Sequence, residues 1–118
     1  MDRNTIDSIW NRASAVDGYD GSLIRMDSCG AWILKAEYGN MESEYGWAID
    51  HVFPVSRGGD DSMINLRPMQ WRNNMAKASD FPVYYSAVIA DGSNNVPRVN
   101  QFKVSESLLK ELRKIYVF

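Results

Sequence analysis

The 118 residues leave room for one domain with its own core, residues 1–118, and are too few for two ordinary ones. An apolar fraction of 45% with four Trp, six Tyr and four Phe excludes a disordered chain, and no stretch approaches the roughly 20 apolar residues of a membrane span. The formal net charge of −2 excludes a surface coated in positive charge, the usual face of a non-specific nucleic-acid binder.

In chain order, Ile6, Ile9, Trp10 and Ala13 share one face of a helix, with Asn4 or Thr5 as its cap. Met1 to Asp7 lacks the basic start and apolar run of a signal peptide, so a cytoplasmic protein is expected. Gly18-Tyr19-Asp20-Gly21 reads as a loop, and Ala31 to Leu34 as a short strand. Cys29, the single cysteine, can form neither an internal disulfide nor a four-cysteine zinc site, and reads as a small buried residue. After the turn Tyr38-Gly39-Asn40, Tyr45 to Val52 reads as a return strand.

Pro54 to Ser62 holds Pro54, Gly58, Gly59 and two aspartates, and is read as irregular. Leu66 to Met69 suits a brief strand, and Gln70 to Ala78, free of Gly and Pro, a short helix. Val83 to Ala90 and Val96 to Val104 flank the turn Asp91 to Asn95 and read as one hairpin, with Pro97 favouring an edge. Ser105 caps a last helix whose apolar face is Leu108, Leu109, Leu112, Ile115 and Tyr116. The fold class expected is α+β.

The chemistry concentrates around the single histidine, His51. A neutral imidazole, with an ordinary pKa of about 6.5, can take a proton from water at neutral pH. Asp50 precedes it, and neighbouring strand residues point to opposite faces, so the two need not compete for one position. A carboxylate and an amide oxygen are hard ligands suited to Mg²⁺ or Mn²⁺; Asn74, on the helix after the loop, could close on Asp50. Arg57, Arg67, Arg72 and Lys77 fall in the same stretch, partly offset by Asp60 and Asp61. Arg57 and Arg72 are candidate phosphate contacts. Trp47 and Trp71 read as core walls.

Asp50-His51, Gly58-Gly59, Asn65-Leu66 and Asn74-x-x-Lys77 resemble the HNH endonuclease motif, part of the wider His-Me finger (ββα-metal) group. The resemblance covers about residues 45–80 and implies a ββα-metal core, here with an N-terminal helix and a C-terminal hairpin plus helix. It implies that His51 is the general base, that Asp50 and Asn74 hold one divalent cation, and that Asn65 orients His51 and holds the loop. Lys77 then matches a basic position that touches phosphate or closes the helix end. The implied partner is nucleic acid, DNA first, with no membrane. The resemblance leaves oligomeric state open. Many relatives carry Cys-x-x-Cys pairs for structural zinc, whereas Gln70 and Asn73 stand at the downstream positions here, so no structural zinc is expected. The competing readings are a non-catalytic nucleic-acid-binding module or a protein-interaction domain of the same shape.

Overall fold

The computed structural model describes all 118 residues, Met1–Phe118. Three short helices and nine short strands form a mixed α and β structure with four small antiparallel sheets. No helix is long and apolar enough to cross a membrane.

Helix α1 (Arg3–Trp10) starts earlier than expected. Its cap is Asp2 rather than Asn4 or Thr5: the Asp2 carboxylate accepts from Thr5 N at 2.8 Å, satisfying one of the orphan donors of the first turn. Strands β1 (Ser14–Ala15) and β2 (Ile24–Met26) were not expected, and β3 (Trp32–Leu34) pairs with β2. The return strand, β4 (Trp47–His51), therefore does not pair with β3. It pairs with β5 (Leu66–Gln70) across the long loop, in the register Asp50 opposite Arg67 and His51 opposite Leu66.

The alternation of β4 explains its burial. Trp47 is sealed in a small cluster with Trp10 and Ile33, with Ile49 packed against it. Asp50 is buried too, and its carboxylate meets the helix that follows β5, α2 (Trp71–Lys77). Beyond the strand, Val52 and Phe53 enter a larger core with Met69, Phe81, Tyr84 and Leu109. Two antiparallel strands and a helix thus frame the segment that carries Asp50 and His51.

The C-terminal hairpin is broken in the middle. Strands β6 (Val83–Tyr85) and β9 (Gln101–Lys103) pair, as do β7 (Val88–Asp91) and β8 (Asn94–Pro97), but Ser86-Ala87 on one side face Arg98-Val99-Asn100 on the other. The extra residue makes a bulge. Asn73 of α2 exploits that break: its Oδ1 accepts from Ala87 N at 2.8 Å and Val88 N at 2.9 Å, and its Nδ2 donates to Val88 O. Helix α3 (Glu106–Leu112) is capped by Ser105 Oγ, as expected, but stops before Ile115, which is exposed.

One buried carboxylate joins three of these pieces. Asp27 accepts from Cys29 N and Ala31 N on one oxygen, and from Gln70 N and Asn73 Nδ2 on the other, all at 2.9–3.1 Å. Gln70 Oε1 in turn caps α2 at Arg72 N and Asn73 N. Burial pushes the Asp27 carboxyl up, against the downward pull of these donors. Burial, helped by the charge of Asp27, pushes the Cys29 thiol up to about 12, so it stays protonated and unreactive.

Asp27→Asn replaces one acceptor oxygen by an amide nitrogen and strands two buried N–H donors. Urea unfolding should show a loss of about 2–4 kcal/mol. A loss below about 1 kcal/mol would remove Asp27 from its structural role.

Candidate active site

The site lies where β4 runs out into its loop. Asp50 is 2% exposed and carries two cations. Arg67 Nε, directly across the sheet, donates to Oδ2 at 3.0 Å, and Lys77 Nζ, from the last turn of α2, lies 3.2 Å from Oδ1. Lys77 is fully buried, and its ammonium also donates to His51 O and Val52 O at 3.1 and 3.2 Å. It therefore faces the strand rather than solvent.

Burial pulls the Lys77 ammonium below its ordinary value, with Asp50 acting in the opposite direction. Burial also works against the Arg67 guanidinium, but the neighbouring Asp50 carboxylate carries it above its usual value. Arg67 lies over the Tyr84 ring, 5.2 Å from the centroid, and its Nη2 is buried without a hydrogen-bond partner. Arg12, held down by burial and by the charge of Arg67, shares with Arg67, Ser14 and Ser28 a small cleft of ≈ 160 Å³. The one Asp50 carboxylate is therefore paired with two cations, in a chain that is acidic as a whole. The largest groove, ≈ 660 Å³ between α1 and the turn near Tyr38, contains none of these residues.

His51 is half-buried, and its Nε2 meets Asp61 Oδ1 at 2.7 Å. Its Nδ1 has no hydrogen bond within the chain, and since the only sealed, unpartnered side-chain polar atom is Arg67 Nη2, Nδ1 is open to solvent. Asn65 is buried and touches backbone, not the imidazole. Its Nδ2 donates to Phe53 O and Asp60 O, both at 3.1 Å, and its Oδ1 accepts from Phe53 N at 2.7 Å. This cross-brace closes the loop after His51. Gly59 is required there, because a Cβ would fall 1.9 Å from Phe53 O, the carbonyl that Asn65 holds.

Asn74 lies one turn before Lys77, on the side of α2 that meets β4, and its half-buried amide makes no side-chain hydrogen bond within the chain. Arg57 and Arg72 are exposed, with their guanidinium groups against the Phe53 and Phe81 rings and the Trp71 ring respectively. Trp71 is tied by Nε1 to Ser43 O, and Trp47 is fully buried. Sequence reasoning passed over Asp27, and it named Asn73 and Asp61 without finding their partners in the fold. None has an apolar period to mark it; only its neighbours in space show what it does.

No three His, Cys, Asp or Glu side chains gather into a metal-holding group. Oxygen donors of the kind a hard cation takes are nonetheless present in the Asp50 carboxylate and the Asn74 amide. An ionised carboxylate offers about four lone-pair directions, of which Arg67 and Lys77 occupy two on Asp50, and the Asn74 amide is free.

Residues 40–83, under half of the chain, match the model of the HNH endonuclease family. Neither the curated proteins nor the solved structures provide a match to the chain.

Removing the Asp50 carboxylate would leave two buried cations without a counter-charge. Asp50→Ala should therefore lower stability by about 3–5 kcal/mol, and adding Lys77→Met should recover part of that loss. Urea unfolding of both variants checks this. An Asp50→Ala protein as stable as wild type would mean that the ion pairs do not hold the site.

Proposed function

We propose, for a chain whose residues 40–83 match the HNH endonuclease family model, that it is a divalent-metal-dependent endonuclease hydrolysing phosphodiester bonds in DNA. The observation that carries this reading is the pairing of an open His51 Nδ1 with a neighbouring carboxylate that is itself paired with two cations. Such a locus draws a phosphodiester into an otherwise acidic chain and sets a proton acceptor beside it.

His51 Nδ1 takes a proton from water, and the water oxygen bonds to phosphorus. The P–O3′ bond breaks, and O3′ takes a proton from solvent. Asp50 and Asn74 would hold one Mg²⁺ or Mn²⁺, whose chemistry when bound is Lewis-acid stabilisation of charge on the phosphate oxygens. Arg67 fixes one carboxylate oxygen of Asp50 from across the sheet, which orients the other. Asn65 acts at one remove, by holding the backbone after His51.

Lys77 contributes differently from a phosphate clamp: its ammonium is spent inside, neutralising Asp50 and tying α2 to β4. The exposed Arg57 and Arg72 are the proposed contacts to the nucleic-acid backbone, and their flat guanidinium groups suit phosphate. The fold element that serves this chemistry would be a ββα-metal core made of β4, β5 and α2 within a single domain of residues 1–118.

Supercoiled plasmid tests the reading. Wild type with Mg²⁺ or Mn²⁺ should nick or linearise it, chelator should stop the reaction, and His51→Ala should lower the rate by at least the ~10²- to 10⁴-fold that a general base contributes. Cleavage by His51→Ala at the wild-type rate would remove the base. A wild type that shifts the plasmid without cutting it would mark a non-catalytic binding module.

A further inference from the structure

The general base assigned above has a carboxylate partner that neither the motif nor the family match assigns. We propose that Asp61 is the positioning residue of His51: it fixes the ring as the Nε2–H tautomer and aims it, leaving the Nδ1 lone pair as the proton acceptor. The inference rests on the nuclease reading for its catalytic consequence and on geometry for the rest.

An ionised carboxylate only accepts, so a neutral His51 must present Nε2–H to Asp61 across the 2.7 Å contact. Nδ1 is then unprotonated, and it is the nitrogen left free and open to solvent. The same division of labour, one ring nitrogen held by a carboxylate and the other doing chemistry, is what activates a histidine base in general.

Asp61 is 71% exposed by its side chain, and an exposed pair of this kind adds little to stability. Its backbone, however, is pinned on both sides. Before it, Asn65 Nδ2 holds Asp60 O at 3.1 Å, and Tyr116 OH donates to Asp60 Oδ1 while Asp60 N reaches Tyr116 OH at 3.3 Å. After it, Ser62 N donates to Asp60 Oδ1 at 3.1 Å. Tyr116 is itself stacked on Phe53, 5.0 Å between centroids. The carboxylate therefore hangs from a loop fixed to the strand end that carries His51, to the braced turn, and to the segment after α3.

The single histidine makes the test direct, because every imidazole signal in the protein belongs to His51. At mildly alkaline pH, proton NMR of wild type should show a slowly exchanging Hε2 resonance, absent from Asp61→Ala and present in Asp61→Glu. In plasmid or oligonucleotide cleavage, Asp61→Ala should lower kcat by about 10- to 100-fold, part of what a positioned base supplies, with KM and thermal midpoint unchanged. Asp61→Glu should regain most of that loss. An Hε2 signal and a kcat that both survive Asp61→Ala would overturn the proposal, as would a kcat loss matched by a loss of folding. A wild type that shows the Asp61-dependent ring proton yet cuts nothing upholds the tautomer assignment and overturns the nuclease reading instead.

Discussion

Helix α2 is held at both ends by a buried carboxylate, and the site depends on where that helix sits. At its start, Asp27 gathers Gln70 and Asn73 together with the backbone of residues 29 and 31. At its end, Lys77 reaches through the core to Asp50. A helix of seven residues has little stability of its own, so directional contacts must fix its position. With one cysteine there is no disulfide to share that task. The carboxylate at the first turn also occupies the neighbourhood of Gln70 and Asn73, where the family resemblance would put metal-binding cysteines. Hydrogen bonds tie those segments together here.

The same arrangement bears on how an acidic chain would meet the phosphate substrate proposed for it. Net charge describes the whole surface, whereas binding senses the local field. Arg67 and Lys77 pair with one carboxylate and are screened from bulk water by the fold, with Arg12 beside Arg67. A divalent cation alone gains less there than it would beside unpaired carboxylates. A phosphodiester brings the missing negative charge, so cation and nucleic acid should enter as partners. Asp50 is on this view both a structural counter-ion and a candidate ligand, and any substitution of it perturbs both roles.

What the sequence made legible follows from the kind of signal each element carries. Short-range chemistry was readable: Ser105 as a cap, Gly58-Gly59 as a turn, and the strand, long loop, strand, helix order around His51. Strands β1 and β2 span two and three residues and show no alternation long enough to detect. The partner of β4 was misjudged because periodicity marks a strand but not its neighbour; pairing went to the strand beyond the loop. The bulge in the last hairpin is filled by Asn73, distant along the chain (14 residues before Ala87) and invisible until α2 is in place. Lys77 reads in the sequence as touching phosphate or closing the helix end; lysine is seldom buried, and only a carboxylate with two strand carbonyls makes its burial tolerable.

The most direct test of the account is whether a divalent cation and a nucleic acid meet at Asp50 and Asn74, beside His51. Mn²⁺ broadens nearby proton signals, and the ring protons of the only histidine report that neighbourhood without ambiguity. In catalytically inactive conditions with a short DNA duplex, substoichiometric Mn²⁺ should broaden the His51 ring lines, more strongly than without DNA, and Asn74→Ala should restore them. Sharp His51 lines while Mn²⁺ broadens signals elsewhere would contradict the account, because the cation would then bind away from the proposed base.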